Sequence, residues 1–155
     1  HMNRIGLFIA TCAYVGFVPL APGTFGSAAG LVLFFGIRGT GSIGLELAAI
    51  VILFAVGIWA STVAERQLGD IDPGPVVIDE VVGMLITLAF LPVNLTGAVV
   101  GFLVFRLFDV VKPWPSSRFE RLPGGLGIMA DDAMAAVYGQ LVMRGLIAVA
   151  PGWFV

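Results

Sequence analysis

Histidine, cysteine and charge are scarce in this chain. The single histidine is His1, and His1-Met2 reads as a cloning remnant, so the chain has no imidazole for chemistry. The single cysteine, Cys12, excludes an intramolecular disulfide and any metal site built from several thiolates. It is followed six residues on by Val18, which also excludes a Cys-x5-Arg nucleophile loop. Only 12% of the 155 residues are charged, the net charge is -2, and no basic face is visible, so a nucleic-acid partner is not expected.

What fills the chain instead is apolar. Hydrophobic residues make up 59%, with 21 glycines besides, and the mean hydropathy is +1.04. Soluble domains sit at about 45–50% apolar with glycine already counted. The expected class is an all-α integral membrane bundle of about six helices, in a single domain over residues 3–155.

Read in order, Ile5–Val18 is an apolar segment predicted to be helical but short for a span. It runs into the Pro19–Gly23 turn, which does not resemble a signal-peptide cleavage site. Thr24 is placed to cap a helix that continues to about Ile37 through the small residues Ser27, Ala28, Ala29 and Gly30. Ile43–Thr62 is the clearest span, with Glu46 near its start. Val63–Pro75 is a polar connection that includes Asp70-Ile71-Asp72. Val76–Leu91 is predicted as a helix with Asp79 and Glu80 in its first turn. Thr96–Val111 follows, with Arg106 and Asp109 near its end, and Pro113 and Pro115 stop it. After a loop holding Arg118, Glu120 and Arg121, Asp131-Asp132 are expected to open a last helix reaching about Ala150.

Parity then gathers the charges. If the four helices from Thr24 to Val111 all cross, then Asp79, Glu80, Arg106, Asp109, Lys112, Asp131 and Asp132 emerge on one face. The opposite turns carry only Arg38. Arg66, Lys112, Arg118 and Arg121 on the charged face make it cytoplasmic by the positive-inside rule. Acids inside an apolar bundle are costly unless paired or metal-bound. The five here would repel one another, and a hard divalent cation such as Mg²⁺, which takes oxygen ligands and bridges to phosphate, relieves that. Arg106 and Lys112 are then left for an anion, with Arg suited to bidentate phosphate recognition. Metal, acids and cations together form a phosphoryl-transfer set.

Plainer readings exist for each residue. Arg106 and Asp109 could be a simple i,i+3 pair. Asp131 or Asp132 could be a helix cap, and Asp79 could sit in its first turn for the dipole alone. Thr24 and Ser27 could only cap and pack, and Cys12 could be a small core residue. None of these readings explains why all the charges fall on one face.

Four segments in order carry a resemblance. They are Ala-Pro-Gly-Thr-Phe-Gly-Ser (21–27), Val-Ile-Asp-Glu-Val-Val-Gly-Met (77–84), Phe-Arg-Leu-Phe-Asp-Val-Val-Lys-Pro-Trp-Pro (105–115) and Gly-Gly-Leu-Gly-Ile-Met-Ala-Asp-Asp (124–132). Together they resemble the phosphatidylglycerophosphatase A family over about residues 16–138. The resemblance implies an all-helical, Mg²⁺-dependent phosphatase of the bacterial inner membrane with its site facing the cytoplasm. Such an enzyme hydrolyses phosphatidylglycerophosphate to phosphatidylglycerol and phosphate. It further implies Asp79, Glu80, Asp109, Asp131 and Asp132 as the metal set, and Asp79, Asp109, Asp131 and Lys112 as catalytic. Arg106 and Lys112 would hold phosphate, with Thr24 and Ser27 nearby. The alternative is a small ion or proton transporter using intramembrane carboxylates, although transport sites sit near the midplane rather than at one end. Asp109→Asn should abolish phosphate release while the protein remains extractable in folded form. Wild-type turnover in that variant would remove Asp109 from the mechanism.

Overall fold

A computed structural model describes residues 4–70, 73–119 and 121–155, so Ile71, Asp72 and Glu120 of the polar loops lie outside the described residues. Among the described residues the structure is helical with no strand. The order is α1 (Arg4–Ala10), a 3-10 turn (Val15–Phe17), α2 (Pro22–Arg38), α3 (Ile43–Leu68), α4 (Ile78–Thr87), α5 (Leu95–Val111), α6 (Ser116–Phe119), α7 (Gly125–Val149) and α8 (Pro151–Phe154).

The ends of the helices follow from local chemistry. Ser42 caps α3, its hydroxyl accepting from the Leu45 N–H at 3.0 Å, and Asn94 caps α5 by accepting from Gly97 N–H at 2.7 Å. Lys112 takes a left-handed conformation that ends α5 just before Pro113. Two expectations shift. The segment Ile5–Val18 is not one helix, because Cys12, Ala13 and Tyr14 are all left-handed and turn the chain after Ala10. Thr24 does not cap α2, which starts two residues earlier with Pro22 in its first position.

The helix expected over Val76–Leu91 is shorter than its apolar run. α4 has 10 residues, about 15 Å at 1.5 Å per residue, which is half of a hydrocarbon core of about 30 Å. It is nonetheless the centre of the bundle, packed against α2, α3, α5 and α7, with Ile78, Val81, Val82, Met84 and Leu85 all buried. Non-helical backbone at this depth survives only where protein groups satisfy it. Gln140 of α7 donates from Nε2 to the carbonyls of Ile86 (2.6 Å) and Ala89 (3.2 Å). Arg38, in the last turn of α2, donates to the carbonyls of Leu88 and Leu91. Glu46 of α3 accepts from Arg38 at 2.9 Å and from the Phe90 N–H at 3.0 Å.

Outside this centre the bundle is coated with apolar side chains. Val51, Ile52, Leu103, Leu107 and Val110 are all exposed, the surface a membrane bundle turns toward lipid. α3 and α7 are each long and apolar enough to cross a membrane, with hydropathies of 2.4 and 1.2.

Where α7 begins, backbone meets backbone. A Cβ on Gly125 would run into the Ile58 carbonyl oxygen and lie 2.8 Å from the Thr62 amide nitrogen, while the real Gly125 N–H donates to Thr62 Oγ1 at 2.8 Å. Neither α3 atom is the free end of a side chain, so nothing can yield cheaply. Gly125→Ala should therefore destabilise the protein by about 1–3 kcal/mol, read as a lower midpoint of thermal unfolding in detergent.

Candidate active site

Four helices and one connection enclose a cavity of about 270 Å³. The first turn of α4 supplies Asp79 and Glu80, where the dipole favours negative charge. The end of α5 supplies Arg106, Asp109 and Lys112. α7 supplies Asp132, α2 supplies Pro22 and Gly23, and the connection before α4 supplies Pro73, Gly74 and Val76. Asp131 stands beside this set and is tied to it through Lys112.

Asp131 and Asp132 do not open a helix. α7 begins at Gly125, so both lie well inside it, and capping does not explain them. Both are almost fully buried, as are Asp79 and Asp109. Their position follows from the close seating of α7 on α3 at Gly125, which sets how deep the two acids lie.

Within the site the acids divide into two groups. Asp79, Glu80 and Asp132 each bring a carboxylate oxygen within 4.8 Å of the others. Glu80 Oε2 and Asp132 Oδ2 are buried with no hydrogen-bond partner among the described residues. Like charges so close in a poorly solvated place require a proton or a cation. An all-oxygen donor set fits a hard divalent ion such as Mg²⁺.

The second group is held by cations. Arg106 Nη1 donates to Asp109 Oδ2 at 2.5 Å. Lys112 Nζ donates to Asp131, lies 3.5 Å from Asp109 Oδ1, and reaches within 3.9 Å of Asp132 Oδ1. Burial by itself would lower the Lys112 pKa. The hydrogen bond to Asp131 and the charges of Asp132, Asp131 and Asp109 outweigh it and raise the pKa above the ordinary lysine value. Lys112 is therefore a fixed cation over the physiological pH range.

The other two predicted residues are placed differently. Ser27 is fully buried, and its hydroxyl donates back to the Gly23 carbonyl at 2.9 Å. Neither Ser27 nor Thr24 lines the cavity, and α2 reaches it through Pro22 and Gly23 instead. Sequence reasoning passed over Gly23, although it lies inside the Ala-Pro-Gly-Thr segment. It also passed over Gln140 and the Arg38–Glu46 pair, which support α4 from its far end.

An all-helical membrane bundle that gathers acids and cations in one polar cavity fits the class of membrane phosphatases. The family described as Phosphatidylglycerophosphatase A matches residues 8–147, and the chain belongs to that family. It is 36% identical over 132 residues to the Phosphatidylglycerophosphatase A of Haemophilus influenzae, covering 83% of this chain and 80% of that protein. It is 36% identical over 126 residues to the Escherichia coli protein of the same name, covering 79% and 72%. A Bacteroides thetaiotaomicron protein named "Putative phosphatidylinositol-3-phosphatase" is 39% identical over 142 residues, covering 87% and 86%. No solved structure matches the chain.

Lys112 touches three acids and is the cation nearest Asp131. Lys112→Met should lower kcat/KM for phosphate release by about 100-fold, the scale of losing one preorganised charge partner. The comparison is steady-state kinetics at matched protein recovery.

Proposed function

We propose that this protein removes the terminal phosphate of phosphatidylglycerophosphate, giving phosphatidylglycerol and inorganic phosphate, with Mg²⁺ bound. The observation that carries this reading is the division within one cavity: Asp79, Glu80 and Asp132 clustered within 4.8 Å, with Arg106, Asp109 and Lys112 lining the same space. The names of the Haemophilus influenzae and Escherichia coli relatives supply the lipid.

In this proposal Asp79, Glu80 and Asp132 hold the metal, which when bound would neutralise phosphate charge and help to activate water. Arg106 and Lys112 hold the phosphate oxygens and offset the charge that grows on them as water attacks phosphorus and the ester oxygen departs. Asp109 is the cavity carboxylate outside the three-acid cluster. It fixes Arg106 in place and is positioned to orient the attacking water or take its proton. Asp131 holds Lys112. The acyl chains stay in the bilayer alongside the exposed apolar faces of α2 and α5, and only the headgroup enters the cavity. Arg66, Lys112, Arg118 and Arg121 favour a cytoplasmic orientation of this face in a bacterial inner membrane.

The test is phosphate release from phosphatidylglycerophosphate in detergent, with Mg²⁺ and then with EDTA. Metal-dependent release is expected, with activity lost in EDTA and restored by excess Mg²⁺. Phosphatidylinositol 3-phosphate is the parallel substrate, because one relative is named for it. Faster hydrolysis of that lipid would reassign the substrate while keeping the chemistry. Release unaffected by EDTA would sink the metal role of the three acids.

A further inference from the structure

Gly23 is the second residue of α2. Its φ is not among the left-handed ones, so the backbone does not demand glycine there. Glycine is also a poorer helix former than alanine. The reason for it lies in what it faces. A Cβ on Gly23 would lie 3.0 Å from Arg106 Nη1, 3.2 Å from Arg106 Nη2 and 3.2 Å from Glu80 Oε1. All three are ends of side chains that line the cavity.

The three atoms that Gly23 faces are ends of flexible side chains, whereas α2 itself is closely seated. Farther along the helix a Cβ on Gly26 would lie 2.7 Å from Val77 Cβ, and one on Gly30 would lie 2.9 Å from both Met84 Cβ and the Val81 carbonyl oxygen. α2 therefore already sits backbone-close on α4 over this length. An added methyl group would thus be accommodated by the guanidinium and the carboxylate, not by the helices.

We propose that Gly23 is a positioning residue for the phosphate site: its lack of a side chain lets the Arg106 guanidinium lie against the first turn of α2, in register with Asp109 and open to the headgroup phosphate. This rests on the phosphatase reading above. Arg106 makes the nearest contact through Nη1, the same nitrogen that donates to Asp109, so it is the group that a Cβ at this position displaces, and the shift acts directly on that ion pair.

The experiment uses Gly23→Ala, with Gly23→Ser as a second variant carrying the same Cβ, each alone and combined with Arg106→Ala in the full-length protein. Thermal unfolding midpoints of the Gly23 variants should match or exceed that of wild type, because alanine suits a helix better. kcat/KM for phosphatidylglycerophosphate should fall about tenfold, the scale of one misplaced charge-assisted contact. With Arg106→Ala already present, adding Gly23→Ala should change kcat/KM by less than about twofold, since the group it displaces is gone. A readout apart from activity is the rise in unfolding midpoint caused by inorganic phosphate in the presence of Mg²⁺. It should be clear in wild type and reduced in Gly23→Ala. Wild-type kinetics and an undiminished phosphate-induced rise in a folded Gly23 variant would overturn the inference. So would a tenfold loss that persists in the Arg106→Ala background, which would place the effect on Glu80. Wild-type protein with no phosphatase activity would bring down the proposed function instead, and the phosphate-induced shift would then test Gly23 by itself.

Discussion

Everything in this molecule answers to the mutual repulsion of five carboxylates gathered at one end of an apolar bundle. Water cannot screen them well, because Asp79, Asp109, Asp131 and Asp132 are each at least 93% buried. Arg106 and Lys112 offset part of the charge, and the excess remains on the three-acid cluster. The protein thus stores a demand for positive charge, and the geometry directs that demand into one cavity. In the proposed function, metal and phosphate would satisfy each other only when both arrive, which suits a site that takes an anionic headgroup among acids.

The helices serve this arrangement. α4 is too short to cross a bilayer alone, and its value is that it places Asp79 and Glu80 where its own dipole favours them. Its far end is finished by side chains borrowed from α2, α3 and α7. The first turn of α7 is pressed onto α3 at Gly125, which fixes Asp131 and Asp132 in depth. Close backbone contact also explains why so many glycines lie between helices. In a membrane, where apolar surface gains nothing by leaving lipid for protein, shape and polar contacts must hold helices together.

The charged constellation was legible from sequence because Asp79, Glu80, Arg106, Asp109, Lys112, Asp131 and Asp132 stand near the ends of successive apolar segments, and they do meet at one end although α4 is too short to cross alone as the parity argument assumed. Three things were not. The end of α4 was hidden, since Leu88–Leu91 is as apolar as the helix before it and Phe90 turns left-handed without a glycine to announce it. Gln140 and the Arg38–Glu46 pair were invisible as supports, because their partners are backbone carbonyls and the Phe90 N–H more than forty residues away along the chain. The resemblance put Thr24 and Ser27 near the phosphate, whereas the cavity wall on α2 is formed by Pro22 and Gly23. A residue that matters by having no side chain leaves no chemical signature in a sequence.

The closure at the far end of α4 has a consequence for the membrane as a barrier. Beneath the acids the bundle is filled by Phe34, Met84, Leu85, Leu88 and Phe105, all buried. Below those, Arg38 and Glu46 satisfy each other and the turn they hold. The polar cavity is therefore a blind vestibule, open at one end and plugged by packed hydrocarbon at the other. Among the described residues, the layer between the acids and the Arg38–Glu46 pair is mostly hydrocarbon, and the buried Thr87 hydroxyl there is bonded within its own helix. The same residues that anchor the short helix confine the polar site to one end of the bundle and close the other end with packed hydrocarbon and one satisfied ion pair.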